Sequence, residues 1–119
     1  MKMLSKCTAQ CPAEDGNFPQ VSGMRFTIHT ASHTVSDVEV MNANGTYQPI
    51  DANRKYTVAT LDYCLSGGFY GMLKTCKLIE MGSSLMRDVL AYYMEKTLGG
   101  TTGTTYAQPA QRITIVNDN

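Results

Sequence analysis

The sequence predicts a single α+β domain with a largely antiparallel sheet, and three observations support this fold class. Several short runs alternate apolar with polar residues, as half-buried strands do. One longer stretch carries apolar residues at helical spacing instead. The chain has 119 residues, is 43% hydrophobic and has a formal net charge of +0. This composition excludes intrinsic disorder and fits one folded domain over residues 1–119.

The first part of the chain is predicted to hold one short helix followed by strands. Residues 2–10 favour the helix, and alternation predicts strands over 24–29 and 37–40, with Val38 on the apolar face together with Val40. The Asn-Gly dipeptide at 44–45 is a strong turn signal, since both residues tolerate positive φ. The segment 47–51 is expected at a sheet edge, because the proline inside it cannot donate to a central ladder.

The later part of the chain is predicted to hold two strands and the clearest helix. Residues 55–60 alternate most regularly and predict the best strand of the chain, while 113–116 predict a last short one. A helix is expected over 85–98, with Ser84 as its N-cap and a glycine pair after its last turn. The apolar stripe of this helix consists of Leu85, Met86, Val89, Leu90, Tyr93 and Met94.

The even charge balance excludes several classes of protein. Ten basic and ten acidic residues, with a pI near 6.7, argue against binding to a nucleic acid, which requires a clustered basic excess. No apolar run reaches the roughly 20 residues that cross a bilayer, so we expect a soluble chain without a membrane span. The first residues lack the apolar segment of a signal peptide.

The usual catalytic and metal-binding patterns are missing from the sequence. His29 and His33 are expected to be surface or turn residues, because neither is flanked by the partners of a nucleophilic triad. The carboxylates are scattered along the chain. Buried or free thiols are favoured over a metal or redox site, since the cysteine spacing does not supply two ligand pairs. The cysteines are Cys7, Cys11, Cys64 and Cys76.

Aromatic residues beside glycines are the best candidates for a binding site. Phe18 lies in a polar loop, and Gly67, Gly68, Phe69 and Tyr70 form a glycine-rich bend. Exposed rings on such loops can stack on a planar ligand. The alternative is structural: Phe18 would then fill a gap in the core, and the glycine pair would be an ordinary turn.

Three segments in order, at 16–27, 45–51 and 55–63, resemble the C-terminal domain of the 5′-nucleotidase family. The Gly-Gly-aromatic bend and the helix leading to Gln111-Arg112-Ile113 follow in the family's order, so the resemblance covers roughly residues 14–117. It implies a four-layer α/β/β/α domain. This chain would hold only the later part of that domain, truncated on its N-terminal side.

The resemblance also implies a nucleotide-binding pocket in which two aromatic rings sandwich the base. By this resemblance Phe18 would be the first ring and Phe69 or Tyr70 the second, in the bend that contains Gly67 and Gly68. The family's Gly-Gly-Asp-Gly motif is altered here, because the acid that binds the ribose has no counterpart. Hydrolysis in the family depends on two divalent metals in a separate metallophosphatase domain. We therefore expect no cofactor in this chain and no activity of the chain alone.

The resemblance defines the expected partners and one rival function. The expected partners are a weakly bound nucleoside or nucleotide and the metallophosphatase domain of the parent protein. Members of the family are typically periplasmic or extracellular. Apolar surface meant for the missing portion leaves open a homodimer. The rival is a non-catalytic interaction module that keeps the fold but has lost nucleotide binding.

Overall fold

The computed structural model describes residues 1–118 and divides the chain into two compact units. The first unit contains residues 1–74 together with the segment from Gln111 onward, and the second contains Thr75–Ala110. Strand pairing explains why the first unit is discontinuous, since its last strand returns to the sheet after the second unit.

The first unit is built on a four-stranded mixed sheet, in the order β3-β2-β1-β4. Its strands are β1 (Met24–His29), β2 (Thr34–Met41), β3 (Tyr47–Pro49) and β4 (Ile113–Val116). The first three pair antiparallel, whereas β4 runs parallel to β1. This confirms the predicted α+β class, including the strands at 24–29 and 113–116 and the turn at 44–45, where Gly45 has φ +83°.

A β-bulge interrupts the pairing of β1 with β2. The register shifts between the Arg25–Glu39 pair and the Thr27–Ser36 pair, and Asp37 within the bulge has φ +49°. An extra residue in one strand reverses the direction in which the following side chains point. The bulge therefore breaks the simple alternation that the sequence predicts for residues 37–40.

The core lies where α1 (Lys2–Cys7) packs on the inner face of the sheet. Val35 and Val38 are both buried although they are three residues apart, because the bulge between them restores the inward direction. The predicted partner of Val38, Val40, is only half-buried. The buried cluster consists of Leu4, Cys11, Phe26, Ile28, Val35 and Val38.

The strand predicted at 55–60 was wrong. These residues have no regular secondary structure and are exposed except for Tyr56, which is half-buried. A strand needs a neighbour that supplies N–H and C=O groups. The edges of this sheet are β3 and β4, and residues 55–60 pair with neither of them. Their alternation shows that these residues suit a β-strand, but among the described residues no strand lies beside them to pair with.

The second unit contains the helix that the sequence predicts most clearly. It comprises α3 (Met86–Tyr92) followed by a π-helical turn (Tyr93–Thr97). The predicted cap at Ser84 was wrong: Leu85 is the N-cap and makes no side-chain capping bond. The C-terminal prediction was right, because Gly99 has φ +66° and the Gly100 N–H donates to the Met94 carbonyl at 2.9 Å.

The apolar stripe of this helix is exposed. Its six predicted residues are 40–65% accessible, so the stripe is not part of a core among residues 1–118. Among the residues that the structure describes, no helix is both long enough and apolar enough to cross a membrane.

Candidate functional site

The glycine-rich bend forms at the end of a short helix. Helix α2 (Asp62–Ser66) stops at Gly67, and the N–H groups of Gly67 and Gly68 both donate to the Tyr63 carbonyl, at 3.0 and 2.9 Å. A 3₁₀ turn (Phe69–Gly71) follows directly. The bend is therefore held by backbone hydrogen bonds, and its aromatic tip emerges from them.

The two aromatic residues of the bend adopt a strained backbone. Phe69 has φ +51° and Tyr70 has φ +54°, in the left-handed region. Bulky residues rarely adopt this conformation, and such strain is concentrated at ligand clamps and active sites. The strained pair lies where the sequence places the second stacking ring.

A third ring, Tyr63, lies against the same bend. An added Cβ at Gly68 would come within 2.9 Å of two Tyr63 ring carbons, so glycine is the residue that lets the ring lie this close. Tyr63 is 68% exposed. Our sequence reasoning did not single it out, although its place one helical turn before the glycine pair could have suggested it.

Phe18 lies in a loop shaped by Asp15. The Asp15 carboxylate accepts a hydrogen bond from the Asn17 N–H at 2.8 Å, and the Asp15 carbonyl accepts one from the Phe18 N–H at 2.9 Å. This is the local turn that aspartate favours. Phe18 is half-buried and packs against the core cluster, so part of its ring serves the core.

One hydrogen bond joins this loop to the glycine-rich bend. The Tyr70 hydroxyl donates to the Asp15 carboxylate at 2.7 Å. The Lys6 ammonium of α1 lies over the face of the Tyr70 ring, 4.9 Å from its centroid. The structure thus brings together α1, the Phe18 loop and the bend, although Asp15 and Tyr70 are 55 residues apart in sequence.

The electrostatics of the site follow from these contacts. Hydrogen bonds from the Asn17 backbone and from Tyr70 lower the pKa of Asp15 below its ordinary 3.8. The same bond to Asp15 is the main cause that raises the pKa of Tyr70 above 10.0. Burial raises the pKa of the Cys7 thiol, and Asp15 adds to this effect. At neutral pH the site therefore holds the carboxylate of Asp15, the phenol of Tyr70 and the thiol of Cys7.

The predicted site residues differ in how accessible they are. Tyr70 is 44% exposed, Phe69 and Phe18 are half-buried, Gly68 is buried and Gly67 is exposed. Only Tyr70 is tied to the Phe18 loop by a hydrogen bond that the structure defines. Whether two of these rings enclose a base stays a prediction.

The cysteines and histidines that the sequence analysis considered differ in burial and in their partners. Cys7, Cys11 and Cys64 are buried free thiols and Cys76 is an exposed one. Within residues 1–118, no three His, Cys, Asp or Glu side chains are grouped so that they could hold a metal ion. His33 is exposed as expected, whereas His29 is half-buried and bonded through both ring nitrogens.

Comparison with known proteins gives one match. A family model described as the 5′-nucleotidase, C-terminal domain, matches residues 1–75, which contain α1, β1 to β3, α2 and the whole candidate site. The match begins and ends earlier than the resemblance over roughly 14–117, so β4 and most of the second unit lie outside it. No curated protein and no solved structure gives a significant match.

Proposed function

Since this chain belongs to the 5′-nucleotidase C-terminal domain family, we propose that it is a substrate-binding domain that holds the base of a nucleoside or nucleotide. The proposed site comprises the Phe18 loop and the bend formed by Gly67, Gly68, Phe69 and Tyr70. Nucleotide breakdown in the parent protein would be the process that it serves.

The observation that carries this proposal is the hydrogen bond from Tyr70 to Asp15. The Tyr70 hydroxyl lies 2.7 Å from the Asp15 carboxylate, so the exposed Tyr70 ring is fixed to the loop that carries Phe18. Asp15 is itself held by a hydrogen bond from the Asn17 N–H. A ring that is fixed in advance loses little conformational freedom when a base stacks on it. The left-handed backbone at Phe69 and Tyr70 is the second support, since this strain is typical of ligand clamps.

The affinity we expect is low. Stacking of a base on one aromatic ring contributes about 1–3 kcal/mol. Phe18 is half-buried against the core, so only part of its ring is available to a ligand. The family's ribose-binding acid also lacks a counterpart in the bend. A dissociation constant near the millimolar range, corresponding to about 4 kcal/mol, is therefore the expected result.

An NMR titration with adenosine tests the proposal. Chemical shifts of the Phe18 loop and the bend should move and saturate in the wild-type chain, and Phe18→Ala should abolish the saturation. Tyr92→Ala is the matched control, because Tyr92 is an exposed aromatic residue of the second unit outside the proposed site. Equal saturation in wild type and Phe18→Ala, or no shift at all, would contradict base binding here.

The hydrolytic step is assigned to the parent's metallophosphatase domain, which would carry the two divalent metals. We propose that this chain alone releases no phosphate from adenosine monophosphate. Phosphate release that persists through repurification and stops when a chelator is added would refute this assignment.

The exposed apolar stripe over residues 85–94 favours a second candidate, an interaction module. Contiguous apolar surface of this kind marks protein–protein contacts. Its members are 40–65% exposed, and in this account a homodimer would cover them. The two candidates separate in one measurement: a pure interaction module associates but gives no saturable shift with adenosine.

A further inference from the structure

A chain of hydrogen bonds on the outer face of the sheet links an acid, a histidine and a serine. His29 Nδ1 contacts the Asp118 carboxylate, and His29 Nε2 lies 2.8 Å from Ser36 Oγ. The same order of groups, acid to Nδ1 and Nε2 to hydroxyl, activates the nucleophile of serine hydrolases. This cluster lies outside the site proposed for the base.

Strand register explains why the three side chains meet. Thr27 pairs with Ser36, and His29 is two residues beyond Thr27, so both His29 and Ser36 point to the outer face. In the parallel pair β1–β4, His29 lies opposite Val116. Asp118 follows Val116 by two residues, and its carboxylate reaches back to the imidazole.

The backbone next to Ser36 has the features of a functional position. Ser36 directly precedes the bulge, and Asp37 has φ +49°. Bulges occur preferentially beside active sites, where they re-aim a side chain and leave a residue outside the ladder. The Asp37 N–H, which follows Ser36 in the chain, is the candidate donor to an oxygen bound at Ser36.

From this geometry we propose that Ser36, His29 and Asp118 form a nucleophilic site that transfers the acyl group of small activated carboxylic esters. This activity goes beyond base binding and does not depend on it. His29 is half-buried and Asp118 is exposed, so the site is open to solvent. An open site of this kind holds a small acyl group and relies on a good leaving group.

The reaction proceeds in two balanced steps. Ser36 Oγ attacks the ester carbonyl carbon, its proton passes to His29 Nε2, and the leaving alkoxide departs with that proton. Water then attacks the acyl-serine, giving the carboxylic acid and free Ser36. The Asp118 carboxylate accepts a hydrogen bond from Nδ1–H, which orients the imidazole so that Nε2 faces Ser36 as the base.

Asp37 competes for the proton of the nucleophile. Its carboxylate lies 2.7 Å from Ser36 Oγ, and a hydroxyl has only one proton to donate. When the Ser36 hydroxyl donates its proton to Asp37, it cannot donate to His29 Nε2, and the imidazole cannot act as its base. Replacing Asp37 by asparagine weakens this competitor and keeps a residue that tolerates positive φ, so Asp37→Asn should label faster than wild type.

Labelling of the full chain with a fluorophosphonate probe tests the proposal, with the modified serine located by mass spectrometry. The probe forms an Oγ–P bond and expels fluoride, so it reports the activated hydroxyl without requiring turnover. We expect the label on Ser36, lost in Ser36→Ala and slowed about 100-fold in His29→Gln. Asp118→Asn should also slow it, because the acid orients the imidazole.

Two control variants make the result decisive. His33→Gln removes the other histidine and Ser32→Ala a neighbouring exposed serine, and neither should change the rate. Circular dichroism checks that every variant is folded. Absence of label on Ser36 in the folded wild-type chain, or a rate equal in His29→Gln and His33→Gln, would overturn the proposal. Binding of adenosine is measured separately, so failure here leaves that proposal standing.

Discussion

Replacing Gly68 by alanine should destabilise the glycine-rich bend, because the new methyl group has no room. Gly68 has φ −57° and ψ +163°, which alanine adopts without strain, so any cost is steric. The added Cβ would lie 2.9 Å from Tyr63 Cδ1 and Cε1 and 3.0 Å from Cys64 Cα. Carbon atoms prefer separations of about 3.5–4.0 Å, so both the ring and the backbone of α2 must shift.

The expected magnitude follows from two opposing effects. Overpacking costs about 1–3 kcal/mol, while a glycine-to-alanine change lowers the entropy of the unfolded chain and returns about 0.4–1 kcal/mol. Gly68→Ala should therefore lower the free energy of unfolding by about 1.3 kcal/mol, within a range of about 0–2.6 kcal/mol. The neighbouring Gly67→Ala is the matched control, since its Cβ would meet no atom within 4 Å.

Urea unfolding followed by circular dichroism measures both variants. A double variant, Gly68→Ala with Tyr63→Ala, separates the ring from the backbone: it should recover the part of the loss that the ring causes. A Gly68→Ala chain as stable as Gly67→Ala would refute the close contact of Tyr63 with the bend.

Three other predictions address charge, reactivity and association. The Asp15–Tyr70 bond should stabilise the fold fully above the ordinary Asp15 pKa of 3.8 and below the ordinary Tyr70 pKa of 10.0. This contribution to stability should fade as pH falls through the lowered Asp15 pKa or rises through the raised Tyr70 pKa. Urea unfolding midpoints measured across pH test this. Tyr70→Phe should abolish the loss of stability that this bond causes at alkaline pH and leave part of the loss at acid pH. The Cys76 thiol should react first with a thiol reagent, because it is the exposed one, and the buried thiols should react only on unfolding; four equal rates would contradict this. Leu90→Lys should reduce self-association in sedimentation, since it puts a charge in the exposed stripe; a wild-type chain that stays monomeric at high concentration would refute the homodimer.

Local patterns predicted the elements that depend on local physics. The strand at 24–29, the turn at 44–45 and the helix that ends before Gly99 all follow from spacing and glycine positions. The segment 55–60 failed because alternation reports which residues suit a strand and not whether a neighbouring strand is present. The bulge at Asp37 is a further case, since no local signal marked it.

The candidate site was predictable in part. The sequence indicated Phe18 and the bend because aromatic residues lie beside glycines there. It could not indicate that the Tyr70 hydroxyl reaches Asp15, since a contact across 55 residues depends on how α1 and the loop pack. The contact of His29 with Asp118 spans 89 residues and depends on the parallel placement of β4. The local sequence of neither segment predicts which side chains the sheet will bring into contact.

The most direct test of base binding uses the phenylalanines as labels. The chain has three of them, Phe18, Phe26 and Phe69, and Phe26 is 2% exposed in the core, which makes it an internal control. With ring-labelled phenylalanine, nuclear Overhauser effects are recorded between each ring and the base protons of adenosine. We expect effects from Phe18, together with Phe69 if that ring and not Tyr70 is the second, and none from Phe26. Effects absent from both Phe18 and Phe69 at saturating adenosine would contradict the account.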